Sequence, residues 1–216
     1  MTPLSMTGLS GAVSTLTGGS TVVSGSPEFN WRYYAYGSDI GATRIYWGLV
    51  SPYTTKYLLR TVSGQQHTGT GQTWNTYSED LSAYSGTSGY IYIVYSPGTS
   101  FRNDPQYDNM ELVDTTSGTV SLDPGTSTGR GRWYRYNGSY TTTTTPPTSW
   151  TTIPIGTSTS NIWNYDTGGT PSSSTGDTRD ANGNSSGYYL YFEGSSPNYG
   201  SSRYYWVRTV GFYTLL

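Results

Sequence analysis

The run Tyr90-Ile91-Tyr92-Ile93-Val94-Tyr95 carries an aromatic or branched apolar side chain at every position. Successive side chains of a β-strand point to opposite faces, so both faces of this strand are apolar. Such a strand is typical of the inside of a two-sheet sandwich, or of a strand that a neighbour covers. Tyrosine suits these places, because its ring packs while its hydroxyl reaches a polar partner. The run therefore predicts a β-sandwich.

Seven other segments are similarly rich in Tyr, Trp, Ile, Val and Thr, the residues that fit a pleated, half-buried surface. Turn clusters such as Ser96-Pro97-Gly98 separate them. No window shows a sustained helical period of apolar residues. The sequence thus predicts an all-β fold, a two-sheet antiparallel jelly-roll sandwich. The predicted strands are residues 29–36, 43–50, 56–62, 90–95, 107–113, 150–155, 188–193 and 203–210.

The composition of the 216 residues excludes several classes of function. Charged residues make up 11% and aromatic residues 16%, which is the opposite of the signature of a disordered chain. Eleven basic residues in a chain of net charge −2 provide no basic field for nucleic acid. The absence of cysteine excludes disulfides and cysteine-based metal sites. The apolar runs are too short for a membrane-spanning helix, so we expect no membrane partner.

The domain organisation follows from where this composition changes. Residues 1–27 are small and polar and predict a flexible N-terminal arm. The first residues of this segment lack the basic region and the apolar stretch of a secretory signal peptide. We therefore expect the protein to be made in the host cytoplasm and not exported by a signal peptide. Residues 28–216 are expected to form a single β-sandwich domain. A Thr- and Pro-rich stretch divides it into halves 28–114 and 150–216, with 115–149 as a connecting segment.

The titratable residues do not indicate catalysis. His67, the one histidine, lies in the polar run Gln65-Gln66-His67-Thr68-Gly69, and we expect a solvated loop side chain. Glycosidases need two carboxylates about 5–10 Å apart in a cleft. Glu79 and Asp80 are adjacent, so on a strand they would face opposite sides. The sequence therefore predicts that the protein is not an enzyme.

Two blocks of the sequence resemble the MAM domain family. Residues 29–114 include Phe101-Arg102-Asn103-Asp104-Pro105-Gln106-Tyr107-Asp108-Asn109-Met110, which is similar to the family's G-F-x-G-D-I-A-L-D-D-I signature. Residues 150–210 include Gly187-Tyr188-Tyr189-Leu190-Tyr191-Phe192-Glu193, which is similar to G-x-Y-L-Y-x-E. The resemblance implies a concanavalin A-like jelly roll. It does not carry a function, because fold alone does not.

The two blocks stand in the reverse of the family's order. One interpretation is a circularly permuted single domain, which is tolerated because domain termini are often close together. The other is a domain-swapped assembly, in which each half pairs with the complementary half of a neighbouring copy. The cysteines of the extracellular animal members are absent, which argues against an animal receptor role.

The resemblance also suggests a metal site. Asp104, Asp108 and Glu193 match acidic positions of the family pattern, and two strands could bring them together around Ca²⁺, a cation that binds hard oxygen ligands. The other interpretation is that these carboxylates accept hydrogen bonds from backbone N–H groups at strand ends. The sequence requires no other cofactor.

A cluster of arginine and aromatic residues suggests a contact surface. Such a cluster could stack on sugar rings or anchor a protein partner, and an ordinary strand edge is the alternative interpretation. The residues are Arg130, Arg132, Trp133, Tyr134, Arg135 and Tyr136.

These observations predict a non-catalytic structural protein of a bacteriophage virion, either a capsid decoration (cement) protein or a tail-fibre component. Its partners would be other virion proteins or copies of itself, within a homo-oligomer or a larger assembly, and its location would be the virion. The alternative is a glycan-binding or adhesion module of a bacterium. A glycoside-processing enzyme is a third hypothesis.

Overall fold

The computed structural model describes residues 26–99, 104–114, 118–156, 162–167, 177–194, 202–209 and 213–214. The predicted N-terminal arm lies outside these residues, except for residues 26 and 27.

The described residues form thirteen strands, one short α-helix and one 3-10 helical turn at Ser82–Tyr84. Seven strands precede the helix: β1 (Glu28–Tyr34), β2 (Ala42–Leu49), β3 (Lys56–Ser63), β4 (Asn75–Asp80), β5 (Ser88–Ser96), β6 (Gln106–Asp114) and β7 (Gly118–Ser121). The helix, α1, covers Ser127–Arg130. Six strands follow: β8 (Trp133–Tyr136), β9 (Trp150–Thr152), β10 (Trp163–Thr167), β11 (Tyr188–Phe192), β12 (Tyr205–Thr209) and β13 (Tyr213–Thr214).

The strands form two sheets. Sheet A has the order β10-β11-β6-β1-β4, with β7 also beside β6. Sheet B has the order β3-β2-β5-β12-β8-β9, with β13 also beside β5. Every pairing between these strands is antiparallel. The prediction of an all-β, two-sheet antiparallel sandwich is confirmed, and the chain winds between the sheets in a jelly-roll-like manner.

All eight predicted strands are present, and their bounds shift by a few residues. The strand at residues 90–95 is the centre of β5, and both of its faces are buried as expected. The prediction of a connecting segment at 115–149 needs correction, because this segment contains β7, α1 and β8 and so contributes to both sheets. Thr126 caps α1, since its side chain accepts a 2.9 Å hydrogen bond from the Gly129 amide.

The core between the sheets is largely aromatic. Trp31, Tyr33, Tyr107 and Trp163 are buried there, and the rings of Tyr33 and Tyr107 lie 5.2 Å apart. The hydroxyls of both tyrosines bond to Thr43, so the buried phenols have polar partners. Burial raises the pKa of both phenols, which keeps them neutral. Aromatic pairs add about 0.5–1.5 kcal/mol each beyond the area they bury, so these contacts contribute to the stability of the core.

The two blocks that resemble the MAM family share both sheets. From residues 150–210, β11 pairs with β6 and β12 pairs with β5. This is the placement that permutation within one chain predicts. The domain-swapped alternative differs only in which copy supplies each block, so the choice stays a prediction. A monomer mass in solution would support permutation, and an obligate oligomer that unfolds on dilution would support swapping.

Candidate functional site

A groove of about 670 Å³ opens on the outer face of sheet A. Its floor comes from β4, β1, β6 and β7, and residues 177–187 contribute one wall. Trp31, Tyr77 and Met110 also border it, and the other lining residues are polar: Asn30, Arg32, Thr76, Ser78, Asn109, Glu111, Ser121, Asp123 and Asn182. The groove therefore offers amide, hydroxyl and charged groups to a polar ligand.

A β-bulge in β6 shapes the floor of the groove. Asn30 pairs with Glu111 and Arg32 pairs with Asp108, so β6 has one residue more than β1 between these pairs. Asn109 occupies the bulge with a φ of 46°, in the left-handed region that asparagine tolerates better than most residues. Bulges are frequent beside functional sites, because they re-aim side chains.

Residues 177–187 are fastened over sheet A by paired hydrogen bonds. The side chain of Gln106 donates to the Asp177 carbonyl at 2.8 Å and accepts from the Asp177 amide at 2.7 Å. The side-chain amides of Asn109 and Asn182 exchange two hydrogen bonds of 2.9 and 3.1 Å. The wall of the groove is thus held in place by contacts to the floor.

Two acidic residues differ in their access to the groove. Asp123, from the connection between β7 and α1, lines it, whereas Asp108, from β6, is not among the lining residues. Asp108 is 1% exposed, and its Oδ2 accepts a 2.8 Å hydrogen bond from the Ala181 amide. Burial, together with the neighbouring Asp123 carboxyl, raises the pKa of Asp108 well above its ordinary value.

Of the three residues predicted to bind calcium, the structure brings Asp104 close to Glu193, whereas Asp108 bonds to Ala181 in another segment. Asp104 accepts a 2.8 Å hydrogen bond from the Gly194 amide, as the alternative interpretation expected. Glu193 accepts from the Tyr191 hydroxyl, and its burial raises the pKa of its carboxyl. In the described part of the chain, no group of three or more His, Cys, Asp or Glu residues is placed to hold a metal. The expected three-ligand set is therefore not assembled, because each carboxylate has taken a nearby donor.

The predicted contact segment does not form a single stacking platform. Trp133 is buried in the core and donates from Nε1 to the Leu122 carbonyl at 2.8 Å. Arg130 ends α1, and its guanidinium lies 4.1 Å from the ring centre of Tyr188. The residues of β8 alternate between the two faces of sheet B, which divides the arginine and aromatic side chains. Partner contact stays a prediction for Arg130, Arg132, Tyr134, Arg135 and Tyr136, all of which are half-buried.

Residues 137–149 cover the aromatic outer face of sheet B. Trp206 donates from Nε1 to the Thr141 hydroxyl at 2.8 Å, and the Tyr53 hydroxyl donates to the Pro147 carbonyl. The Thr- and Pro-rich stretch is thus part of the packed structure. The side chains buried in this outer layer are Tyr46, Tyr90, Tyr92, Val94 and Trp206. Much of the tyrosine surplus that could have served a partner is therefore covered by the chain itself.

The prediction of a solvated His67 is wrong. The ring is 4% exposed and stacks on Tyr34, with 4.1 Å between ring centres. Its Nδ1 accepts from the Ala35 amide at 3.2 Å, and its Nε2 lies 3.1 Å from the Thr73 carbonyl. Burial lowers the pKa of His67. The loop folds back onto sheet A, a long-range contact that its polar sequence does not show.

Sequence reasoning missed the groove itself. Asn30, Asn109, Asp123 and Asn182 reach it from four separate segments, so no local motif marks it. One signal was present in β1, where the polar residues of Glu28–Tyr34 alternate with Phe29, Trp31 and Tyr33 and so predict a polar outer face.

Comparison with protein-family models, curated proteins and solved structures found no match to this chain. The resemblance to the MAM domain family therefore stays a prediction. Among the described residues, no helix has the length and apolar character needed to cross a membrane.

Proposed function

We propose that this protein is a non-catalytic structural component of a bacteriophage virion, a capsid decoration or tail-fibre protein that acts by protein–protein contact. The observation that carries the proposal is the free edge of sheet B. In the described part of the chain, β3 pairs only with β2. Leu58 on this strand is 54% exposed, and Tyr57 beside it is also exposed. A long edge strand with exposed apolar side chains is a template for contact with another chain.

Composition supports the virion as the place of this contact. A repeating shell or tail offers many copies of one docking surface, and a chain with 11% charged residues would rely on apolar and aromatic contacts there. The absence of cysteine separates the chain from the extracellular animal proteins it resembles.

The test is cosedimentation with virus particles that lack the protein. We expect the wild-type chain to sediment with the particles, and Leu58→Asp to lower the bound fraction at least tenfold. Ile155→Asp is the matched control, because Ile155 is 63% exposed and lies outside β3. Thermal unfolding of both variants should match the wild type, since neither side chain is buried. A wild-type chain that stays in the supernatant would contradict the proposal.

A glycan-binding module is the second candidate, and the groove on sheet A favours it. Amide and hydroxyl side chains such as Asn182 and Ser78 can exchange hydrogen bonds with sugar hydroxyls. A glycan array tests it, with Asn182→Ala as the groove variant and Asn137→Ala, an exposed asparagine outside the groove lining, as the control. Loss of a glycan signal in Asn182→Ala alone would support this candidate. An array without hits would contradict it.

A further inference from the structure

The acidic and basic residues of the sandwich are separated between its two sheets. Every Asp or Glu that lies on a described strand belongs to sheet A, and the strands of sheet B contain none. Arg32 is the only basic residue on the strands of sheet A. The basic residues on the strands of sheet B are Arg44, Lys56, Arg60, Arg135 and Arg208. Every acidic residue of the chain lies within the described ranges, so the separation does not depend on the rest of the chain.

The outer face of sheet B combines aromatic rings with positive charges. Arg44, Lys56 and Arg208 are half-buried on this side of the sheet, and we call the surface they form the basic face. The Nζ of Lys56 lies 4.4 Å from the ring centre of Tyr46, which belongs to the aromatic outer layer. Residues 137–149, which cross this face, contain no charged residue. The face therefore carries positive charge without a carboxylate beside it.

The basic face also has buried donors that are not satisfied. Nη1 of Arg44 and Nε of Arg208 are buried and have no hydrogen-bond partner among the described residues. The two ion pairs in the described part of the chain, Arg60–Glu79 and Arg179–Asp177, do not involve this face. A buried donor without an acceptor is costly, most of all on a charged group, so such donors call for an explanation. A partner that brings anionic acceptors would supply one.

The outer face of sheet A offers the matching charge. Glu28 lies opposite Asp80 across two strands, and Glu111 and Asp123 line the groove. Asp80 is exposed and the other three are half-buried, and we call the surface they form the acidic face. Each of the four accepts hydrogen bonds from neutral hydroxyl or amide groups, and in the described part of the chain none has an ion pair. These carboxylates outnumber Arg32 on the same sheet, so the face is net negative.

We propose that copies of this chain stack head to tail, with the acidic face of one copy on the basic face of the next. The two faces belong to different sheets and lie on opposite sides of the sandwich, so one copy can use both at once. Such a contact is heterologous, and it builds rings or open filaments instead of a twofold dimer. The inference goes beyond the proposed function, because it concerns the two outer faces and needs no virus particle.

Analytical ultracentrifugation of the purified full chain tests the stacking. The Debye length falls from about 30 Å at 0.01 M salt to about 3 Å at 1 M, so contacts between charged faces weaken strongly over this range. In 10 mM NaCl we expect the weight-average mass to rise beyond that of a dimer as the chain is concentrated to about 1 mM, which detects a Kd as weak as about 1 mM. In 1 M NaCl the mass should return to that of the monomer.

Charge reversal locates the contact. Lys56→Glu alters the basic face and Glu111→Lys alters the acidic face, so each variant alone should associate at least tenfold more weakly. An equimolar mixture should form at least a dimer, because each variant keeps the face that the other lacks. Ile155→Asp is the control, since it adds a negative charge at an exposed position outside both faces and should associate like the wild type. Thermal unfolding checks the fold, and Glu28→Lys repeats the test if Glu111→Lys lowers the Tm.

Three results would overturn the proposal. The first is a wild-type chain that stays monomeric in 10 mM NaCl at every concentration. The second is association that persists in 1 M NaCl, or that stops at a dimer in both charge variants, which would point to the free edge of β3. The third is a mixture of the two variants that associates no better than either alone. The cosedimentation test of the proposed function uses virus particles, so its outcome is independent of these three.

Discussion

Replacing Glu79 with alanine should lower the free energy of unfolding by about 3 kcal/mol. Glu79 lies on β4 with its side chain turned into the sandwich, where it is 4% exposed. Its Oε1 accepts a 2.9 Å hydrogen bond from Trp31 Nε1 and also pairs with the Arg60 guanidinium. This one oxygen therefore links the core of sheet A to the edge strand of sheet B.

The magnitude follows from what each partner loses. A buried indole N–H without an acceptor costs about 1–3 kcal/mol. The lost methylene adds about 0.8 kcal/mol. Arg60 is 37% exposed and can return to water, so loss of the ion pair adds at most about 1 kcal/mol. Glu79→Gln keeps an acceptor for Trp31 and should cost only about 1 kcal/mol.

Urea unfolding followed by tryptophan fluorescence measures these differences. Glu28→Ala is the control, because in the described part of the chain this β1 carboxylate accepts a hydrogen bond from the exposed Ser78 hydroxyl alone, and the variant should stay within about 0.5 kcal/mol of the wild type. The reasoning fails if Glu79→Ala is equally mild. It also fails if Glu79→Gln costs as much as Glu79→Ala, since the indole acceptor would then not be the main contribution.

Three further predictions concern single positions. Burial lowers the pKa of His67 below its ordinary 6.5, so the unfolded chain binds a proton more readily than the folded chain. The free energy of unfolding should therefore fall as the pH drops below about 6.5. Urea titrations at several pH values should show a flatter dependence for His67→Gln. Asn109→Ala should be about 1 kcal/mol less stable than Asn109→Gly, because only the alanine is strained at a φ of 46°, and equal stabilities would contradict the bulge. Trp133→Phe should cost about 1–3 kcal/mol by leaving the Leu122 carbonyl unpaired, and calorimetry that shows no loss would place the indole outside the core.

The sequence predicted the strands that are rich in aromatic and β-branched residues, which are typical of β-strands. The centre of β5 is the clearest case, because every side chain of residues 90–95 is apolar or aromatic. In contrast, β4 was missed, since Asn75–Asp80 contains only one aromatic residue. The inward-facing carboxylate of Glu79 is stabilised by an ion pair with Arg60 of β3. That contact depends on how the two sheets pack, which the local sequence of β4 does not show.

The candidate site shows the same limit. Arg130 and Trp133 are near neighbours in the sequence and suggested a common surface, yet the indole of Trp133 enters the core while Arg130 belongs to α1. Asp123 follows β7, and because β7 turns back along β6 the chain returns to the strand that carries Asp108, fifteen residues earlier. Periodicity indicates which face a side chain occupies, but it does not show which residues of other strands lie beside it.

Quantitative mass spectrometry of purified virions tests the proposed function most directly. The particles would be purified from lysates of cells that produce this protein, and the chain would be counted against the major capsid protein. We predict that it copurifies through a density gradient at a fixed copy number per particle. A chain that remains in the soluble fraction while the particles contain none would contradict a role as a virion component.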